Sequence, residues 1–349
     1  MRSSKGELLG SGYFNRNASL AGRMLSFGEE SGLSSLKRHL AEAVALRVQL
    51  FDATQTNAFR LVNGEGDGIP GLIVDQYNDV LVLQSGTLGI DTLKSIIIEE
   101  LKKLVNPRAI YERSLLGSRK EEGLAEASGI LFGEVPQSLT IKENNLQYEV
   151  SVVEGQKTGF FLDQREMRSL VRGHSRGLKV LNCFSYSGAF SVSALAGGAS
   201  QVVSVDVSKT ALAEGDRNVE LNGLSKGTHR SICEDVFKFL REGNELYDLI
   251  ILDPPAFAKK KAQVVQAAKG YNDINRVAMN RLRPGGILVT CSCSHFIEKD
   301  LFRKILFSAA RDAHKDARII QEHRLAFDHP ISVYHPEGEY LKSAVLVVS

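Results

Sequence analysis

Two short segments combine residue types that can do chemistry together: Asp253-Pro254-Pro255-Ala256-Phe257 and Thr290-Cys291-Ser292-Cys293-Ser294, each at the end of an apolar run. Paired prolines make a stiff, extended turn that leaves the Asp253 carboxylate and nearby carbonyls facing a cleft. Such a turn can grip the edge of a flat base while an aromatic ring covers its face. A thiol beside it has a defined use. Carbon 5 of a pyrimidine is too electron-poor to attack an electrophilic methyl group until a nucleophile has added at carbon 6, and a thiolate suits that addition. Strand alternation would put both cysteines on one face with Cys293 nearer the carboxyl end, so Cys293 is the expected nucleophile and Cys291 a small buried hydrophobe. Asp253 is the expected second catalytic residue, with Pro254, Pro255, Phe257 and Tyr271 on the substrate side. The basic run Lys259-Lys260-Lys261 reads equally as a phosphate contact or as a solvated loop.

A methyl donor needs its own site. The loop LNCFSYSGAF (181–190) follows an apolar run, keeps only Gly188 of a dinucleotide glycine fingerprint, and offers Asn182, Phe184, Ser185 and Tyr186 instead. It therefore disfavours a pyrophosphate and suits S-adenosylmethionine, which has none. Asp206, followed by Val207, would hold the ribose hydroxyls. Asp235 would accept from the adenine amino group with Val236 or Phe237 beside the ring. Either acid alone also reads as the cap of the next helix, but their placement at consecutive strand ends favours the ligand.

The elements that must position these residues are legible as apolar runs alternating with helical periodicity. Strands are expected at 178–184, 201–207, 229–235, 247–253, 286–294, 317–324 and 343–349, with helices between the first six. The helix over 209–224 closes at Asn222-Gly223, and the one over 271–282 stops at Arg283-Pro284-Gly285-Gly286. This is a doubly wound α/β sheet. Upstream, helices over 36–51 and 91–105 flank a strand over 79–86, giving a second, smaller α/β unit. Residues 1–27 carry too little apolar material for a core of their own, and the cluster at 28–32 marks a boundary.

At 349 residues, 43% hydrophobic and 24% charged, the chain is expected to fold into two or three domains without extensive disorder. A net charge of +2 and a pI near 8.2 are silent on the partner. The four cysteines lack metal-site or disulfide-scaffold spacing, so no metal is expected and a reducing cytoplasm is. No signal peptide and no apolar run of roughly 18 residues occurs, so no membrane partner is expected.

The motifs GQKTGFFLDQREMR (155–168), LNCFSYSGAF (181–190), LDPPAF (252–257), KGYNDIN (269–275), TCSCS (290–294) and DHPISVYHPEGEYLK (328–342), in this order, resemble those of RlmI-type ribosomal large-subunit RNA cytosine-5-methyltransferases over nearly the whole chain. The resemblance implies S-adenosylmethionine as cofactor and RNA, expected to be large-subunit ribosomal RNA, as partner, with no DNA and with a homodimer left open. It implies a partial PUA-like β segment (1–27), a central α/β domain (28–150) and a Rossmann-like class I methyltransferase domain (151–349) whose last strand is antiparallel. Residues 6–25 resemble only the C-terminal part of a PUA domain, whose preceding strands are expected to be missing. The resemblance also brings Lys157, Thr158, Phe160, Asp163, Gln164 and Arg168 to the border of the cofactor, with Asp163 and Gln164 as the expected direct contacts, and Asp253 there as well. The other large class of RNA cytosine-5-methyltransferases resembles this chain at one point: its T-C-S cysteine stands eight residues after the first glycine of P-G-G, and counting from Gly285 gives Cys293. That class has a cysteine where this chain has Ala256, which leaves the group that removes the C5 proton unassigned.

Three other readings remain at this level: a guanine N-methyltransferase, which shares the Asp-Pro-Pro turn but needs no cysteine; a non-catalytic RNA-binding protein on the same fold; and a nicotinamide dehydrogenase, disfavoured by the absent glycine fingerprint.

Overall fold

Leu36, Leu40, Ala43 and Arg47 recur at helical spacing and form the buried stripe of α1 (Gly32–Leu50), which starts where Ser31 accepts from the Ser34 amide. A second stripe, Ile90, Ile97 and Leu101, does the same for α2 (Leu88–Val105), capped by Thr87 and closed by Asn106 in the left-handed conformation. The computed structural model containing them describes residues 1–155, 157–224 and 226–349; Gln156 of the first motif lies outside the described residues. The chain divides into two units, one of residues 1–145, 149–163 and 326–338, the other of 146–148, 164–325 and 339–349.

In the first unit, β1 (Gly12–Phe14) and β2 (Gly22–Met24) make a small antiparallel ribbon. Its Tyr13 hydroxyl donates to the Pro70 carbonyl at 2.6 Å. The main sheet has the order β3-β4-β5-β6-β7, built from β3 (Ala58–Asn63), β4 (Leu72–Tyr77), β5 (Val80–Ser85), β6 (Ala109–Ser114) and β7 (Ala127–Gly133). Only β5 and β6 pair in parallel, as the crossover through α2 requires; the other neighbours are antiparallel. One turn of helix, α3 (Ser118–Glu121), joins β6 to β7. Its Arg119 donates to the Ser85 carbonyl and to Asp91. β8 (Leu139–Glu143) and β9 (Leu146–Val150) follow as the chain passes between units.

From α4 (Arg165–His174) the second unit alternates strand and helix as far as β15, and β16 follows without a further α-helix: β10 (Lys179–Cys183), α5 (Ala189–Ala196), β11 (Gln201–Asp206), α6 (Lys209–Leu221), β12 (His229–Cys233), α7 (Val236–Glu242), β13 (Tyr247–Leu252), α8 (Val264–Asn280), β14 (Leu282–Ser292), α9 (Lys299–Asp312), β15 (Ala317–His323) and β16 (Lys342–Val348). The sheet order is β12-β11-β10-β13-β14-β16-β15. β10 to β14 pair in parallel, and the last strand, β16, inserts antiparallel between β14 and β15. The central strands β10 and β13 are buried almost throughout, which is why they read as unbroken apolar runs.

One expectation is corrected. The Pro-Gly-Gly segment lies inside β14 instead of before it. Leu282 pairs with Tyr247, and the ladder resumes only at Ile287 opposite Leu249. The segment stops α8, as its chemistry predicts, and then loops out as an irregularity within the strand, with Gly285 in the left-handed region.

Candidate active site

Strand order reverses at β10, and the loop leaving it is the place where a doubly wound sheet binds ligand. Its backbone turns left-handed at every second residue: Phe184 (φ 57°), Tyr186 (φ 45°) and Gly188 (φ 74°). Only the glycine tolerates this freely, so the two aromatic residues hold a strained path. Gly188 has a second constraint, because a β-carbon there would stand 2.9 Å from the Cα of Gly215 on α6. The path is pinned by Asp206, whose Oδ2 accepts the Tyr186 amide and whose Oδ1 accepts the Ser208 amide, both at 2.9 Å. Ser208, not Asp206, caps α6.

Beneath the loop runs a buried polar chain. Asn182 Nδ2 donates to Ser191 Oγ (2.8 Å), which shares a hydrogen bond with Ser204 Oγ (2.7 Å), which meets His229 Nε2 (2.8 Å). Burial holds the His229 ring below the usual histidine range, against the opposing pull of Asp216. Asn182 Oδ1 and Ser185 Oγ, both buried, have no hydrogen-bond partner among the described residues. Buried polar atoms without partners call for an absent ligand or water. Two acceptors facing a loop without a phosphate cradle fit the amino-acid end of S-adenosylmethionine.

Further along the strand ends, Asp235 caps α7 by accepting the Lys238 amide at 2.9 Å and remains exposed. Val236 is buried in the core, so of the two residues expected beside an adenine ring Phe237 is the one with accessible surface. Val207 is largely exposed. Phe237 belongs to a run of aromatic contacts: Phe184 to Phe237 (6.5 Å between centroids), Phe237 to Phe257 (6.1 Å), Phe257 to Tyr271 (4.5 Å) and Tyr271 to Phe302 (6.0 Å).

The Asp-Pro-Pro turn follows β13. Gln164, at the start of α4 and 3% exposed, donates from Nε2 to Asp253 Oδ1 at 3.0 Å. Pro254 is buried, Pro255 exposed and Phe257 half-buried. Cys293, one residue beyond β14 and half-buried, has its Sγ 3.9 Å from the Pro254 carbonyl oxygen. Cys291 is fully buried, and its thiol is pushed well above the usual range by burial and then by the Asp253 carboxylate. It stays protonated and apolar.

Tyr271, expected to stack on a base, is corrected: it has no accessible surface, being enclosed between Phe257 and Phe302. Its hydroxyl instead shares a 3.0 Å hydrogen bond with Ser294 Oγ, which also accepts the Ala258 amide. Lys259, Lys260 and Lys261 are exposed.

The residues brought in by the first motif fall in both units. In the first, Thr158 Oγ1 donates to Asp75 Oδ2 (2.6 Å) and meets the Tyr77 hydroxyl (2.8 Å), which accepts the Phe160 amide (3.1 Å). Lys157 pairs with Asp163 at 2.9 Å. Gln164 and the buried Arg168 belong to the second.

The pattern of the S-adenosylmethionine-dependent methyltransferase family matches residues 108–324. Over 98% of this chain and 88% of its own length, the ribosomal RNA large subunit methyltransferase I of Aeromonas salmonicida is 43% identical. That of Alteromonas mediterranea is 41% identical over 99% and 88%. Among solved structures, a candidate SAM-dependent methyltransferase from Streptococcus mutans superposes with a TM-score of 0.85 at 26% identity, covering 99% of this chain and 90% of that one. The crystal structure of a candidate methyltransferase complexed with SAH does so with a TM-score of 0.86 at 27% identity and the same coverage. With the sheet order, the antiparallel last strand and the phosphate-free loop after β10, these matches establish that the chain belongs to the S-adenosylmethionine-dependent methyltransferases, and among them to the family of ribosomal RNA large subunit methyltransferase I.

Proposed function

We propose that the chain methylates C5 of a cytosine in large-subunit ribosomal RNA through a covalent bond between Cys293 and C6 of the base. The observation that carries this reading is the 3.9 Å approach of Cys293 Sγ to the Pro254 carbonyl of the Asp-Pro-Pro turn. It puts a half-buried thiol beside the groups that can hold a base edge. S-adenosylmethionine, when bound, supplies an electrophilic methyl group on its sulfonium. Asn182, Ser185, Tyr186 and Gly188 would surround its amino-acid end, Asp206 its ribose, and Asp235 with Phe237 its adenine. Lys157, Thr158, Phe160, Asp163, Gln164 and Arg168 would border it, by the resemblance of their motif, with Asp163 and Gln164 as direct contacts.

Asp253, steadied by Gln164, would accept a hydrogen bond from the exocyclic amine of the cytosine, with Phe257 against its ring. The Cys293 thiolate forms the S–C6 bond, which makes C5 nucleophilic. C5 would take the sulfonium methyl, leaving S-adenosylhomocysteine; a base then takes the C5 proton, and the C–H electron pair re-forms the C5–C6 double bond as the thiolate leaves. Lys259 to Lys261 would hold phosphates. A target base stacked in folded RNA must be swung out to reach the turn. Residues 1–27 are read as a partial PUA-like segment and the cytoplasm as the place of action, in keeping with the RNA substrate.

The test is methyl transfer from labelled S-adenosylmethionine to unmodified ribosomal RNA, with the product digested to nucleosides and identified by mass spectrometry. Label in 5-methylcytidine that vanishes in Cys293→Ala supports the reading. Label in a methylguanosine that survives the substitution replaces it with guanine N-methylation.

A further inference from the structure

The proposed nucleophile needs a reason to ionise, since an ordinary thiol has a pKa of about 8.5. β16 enters the sheet antiparallel to β14, and its register sets Lys342 opposite Ser292, one residue before Cys293. The Lys342 side chain is 7% exposed, and its ammonium donates to the carbonyls of Ser294 and Tyr340, each at 2.7 Å. A lysine is almost never buried without a charge or a set of acceptors to justify it. Here one acceptor is the carbonyl of Ser294, the residue after Cys293.

The same short loop is held from two further sides, by Tyr271 from α8 and by the Ala258 amide, both on Ser294 Oγ. Resting on the reading of Cys293 as nucleophile, we infer that Lys342 is a positioning residue: it clamps the backbone at Ser294, next to Cys293, and supplies the positive charge that favours Cys293 as a thiolate. Two carbonyls use two of the three ammonium donors.

The charged and titratable neighbours agree in sign. Cys293 and Glu339 both act on Lys342 to keep it charged, against burial, which lowers it to about 8; at neutral pH the ammonium is therefore the prevailing form. Around the thiol, Tyr271 and Cys291 also feel Cys293, and a thiolate there would raise both. Asp253 acts on Cys291 in the same direction. These groups are negative or neutral, and Lys342 on β16 is a cation that acts together with Cys293. The sequence offered no role for this lysine, because it closes a motif 49 residues beyond Cys293 and only the antiparallel insertion joins the two.

The test reads the thiol directly. The full-length chain is treated with iodoacetamide across a pH series, and alkylation of Cys293 is followed by peptide mass spectrometry, with the exposed Cys233 in the same digest as reference. The wild type should show an inflection below about 8. Lys342→Met should raise that inflection by about one pH unit, cutting the rate at pH 7 roughly tenfold, and Lys342→Arg should restore it. A wild-type inflection at or above about 8.5 overturns the inference without any variant. So does a Lys342→Met profile that is lowered evenly with its inflection unmoved, the signature of a merely structural lysine. Failure of the nucleophile reading is distinguishable, since it appears as turnover surviving in Cys293→Ala whatever the alkylation profile does.

Discussion

The loop after β10 in the second unit and the turns of the first unit carry left-handed backbone on different residue types. Where the first unit turns left-handed at a residue other than glycine, it mostly uses asparagine: Asn78 between β4 and β5, Asn106 after α2, Asn144 and Asn145 between β8 and β9. Asparagine tolerates that region, and these are ordinary turns and a helix end. In the second unit the loop after β10 forces Phe184 and Tyr186 into the same region, at a cost on the order of 1–3 kcal/mol each. Particular buried polar groups also contrast. The fully buried Arg47 meets Asp67 through two bonds of 2.6 and 2.7 Å, and Arg60 pairs with Asp75, which also accepts from Thr158. Beside the strained loop, Asn182 Oδ1 and Ser185 Oγ are left without partners. Among the described residues of the first unit the one exception, Lys157 at φ 52°, stands in the motif that resembles a cofactor border. At the loop after β10, strained backbone and unpartnered buried polar atoms occur together.

The comparison predicts where substitutions hurt. The largest effect belongs to Cys293→Ala, expected to lower turnover by on the order of 10³-fold or more while binding of S-adenosylhomocysteine, measured by calorimetry, stays within about twofold of wild type. Next is Gln164→Ala. It frees the Asp253 carboxylate from a buried hydrogen bond worth about 1.5–3 kcal/mol, so kcat/KM should fall roughly 10- to 100-fold in a steady-state assay. Tyr186→Asn then separates strain from binding. The new residue tolerates the left-handed backbone, so the melting temperature of the ligand-free protein should hold or rise, while affinity for the cofactor product falls about tenfold; a fall in both would mean that the loop is strained for packing and not for a ligand. Smallest is Asn78→Ala in the first unit. It should cost about 1 kcal/mol in chemical denaturation and leave cofactor affinity unchanged, and a change in affinity would break the contrast between the units.

Much of this was readable in the residues, for physical reasons. Buried parallel strands appear as apolar runs, and the runs at 201–207 and 247–253 end within one residue of β11 and β13. The turn chemistry of Asp-Pro-Pro and the loop after β10 follow from proline and from the missing glycine fingerprint. What stayed hidden depends on contacts distant in sequence. The first unit's β3, β4 and β7 are short strands whose mates are set by antiparallel register, and β6 joins one parallel and one antiparallel neighbour. The irregularity inside β14 needs a partner strand to exist at all. Tyr271 looked available for stacking because its spacing says nothing of Phe302 on α9 closing over it. Asp235 illustrates the limit of a strand-end carboxylate: it caps α7 as aspartate commonly does, whereas Asp206 leaves that task to Ser208, accepts the Ser208 amide with one oxygen and turns the other to the loop at Tyr186. The same motif position thus carries different work on neighbouring strands.

The covalent step is the centre of the account, and it can be caught. RNA containing 5-fluorocytidine at the target cannot lose a proton from C5 after methylation, so the S–C6 bond cannot be released. Incubated with S-adenosylmethionine and the full chain, such RNA should yield a cross-linked species that survives denaturation, maps by peptide mass spectrometry to the peptide containing Cys293, and is absent without the cofactor and in Cys293→Ala. Methylated RNA with no cross-link, from an enzyme that methylates the unsubstituted RNA equally well in the Cys293→Ala variant, would contradict it.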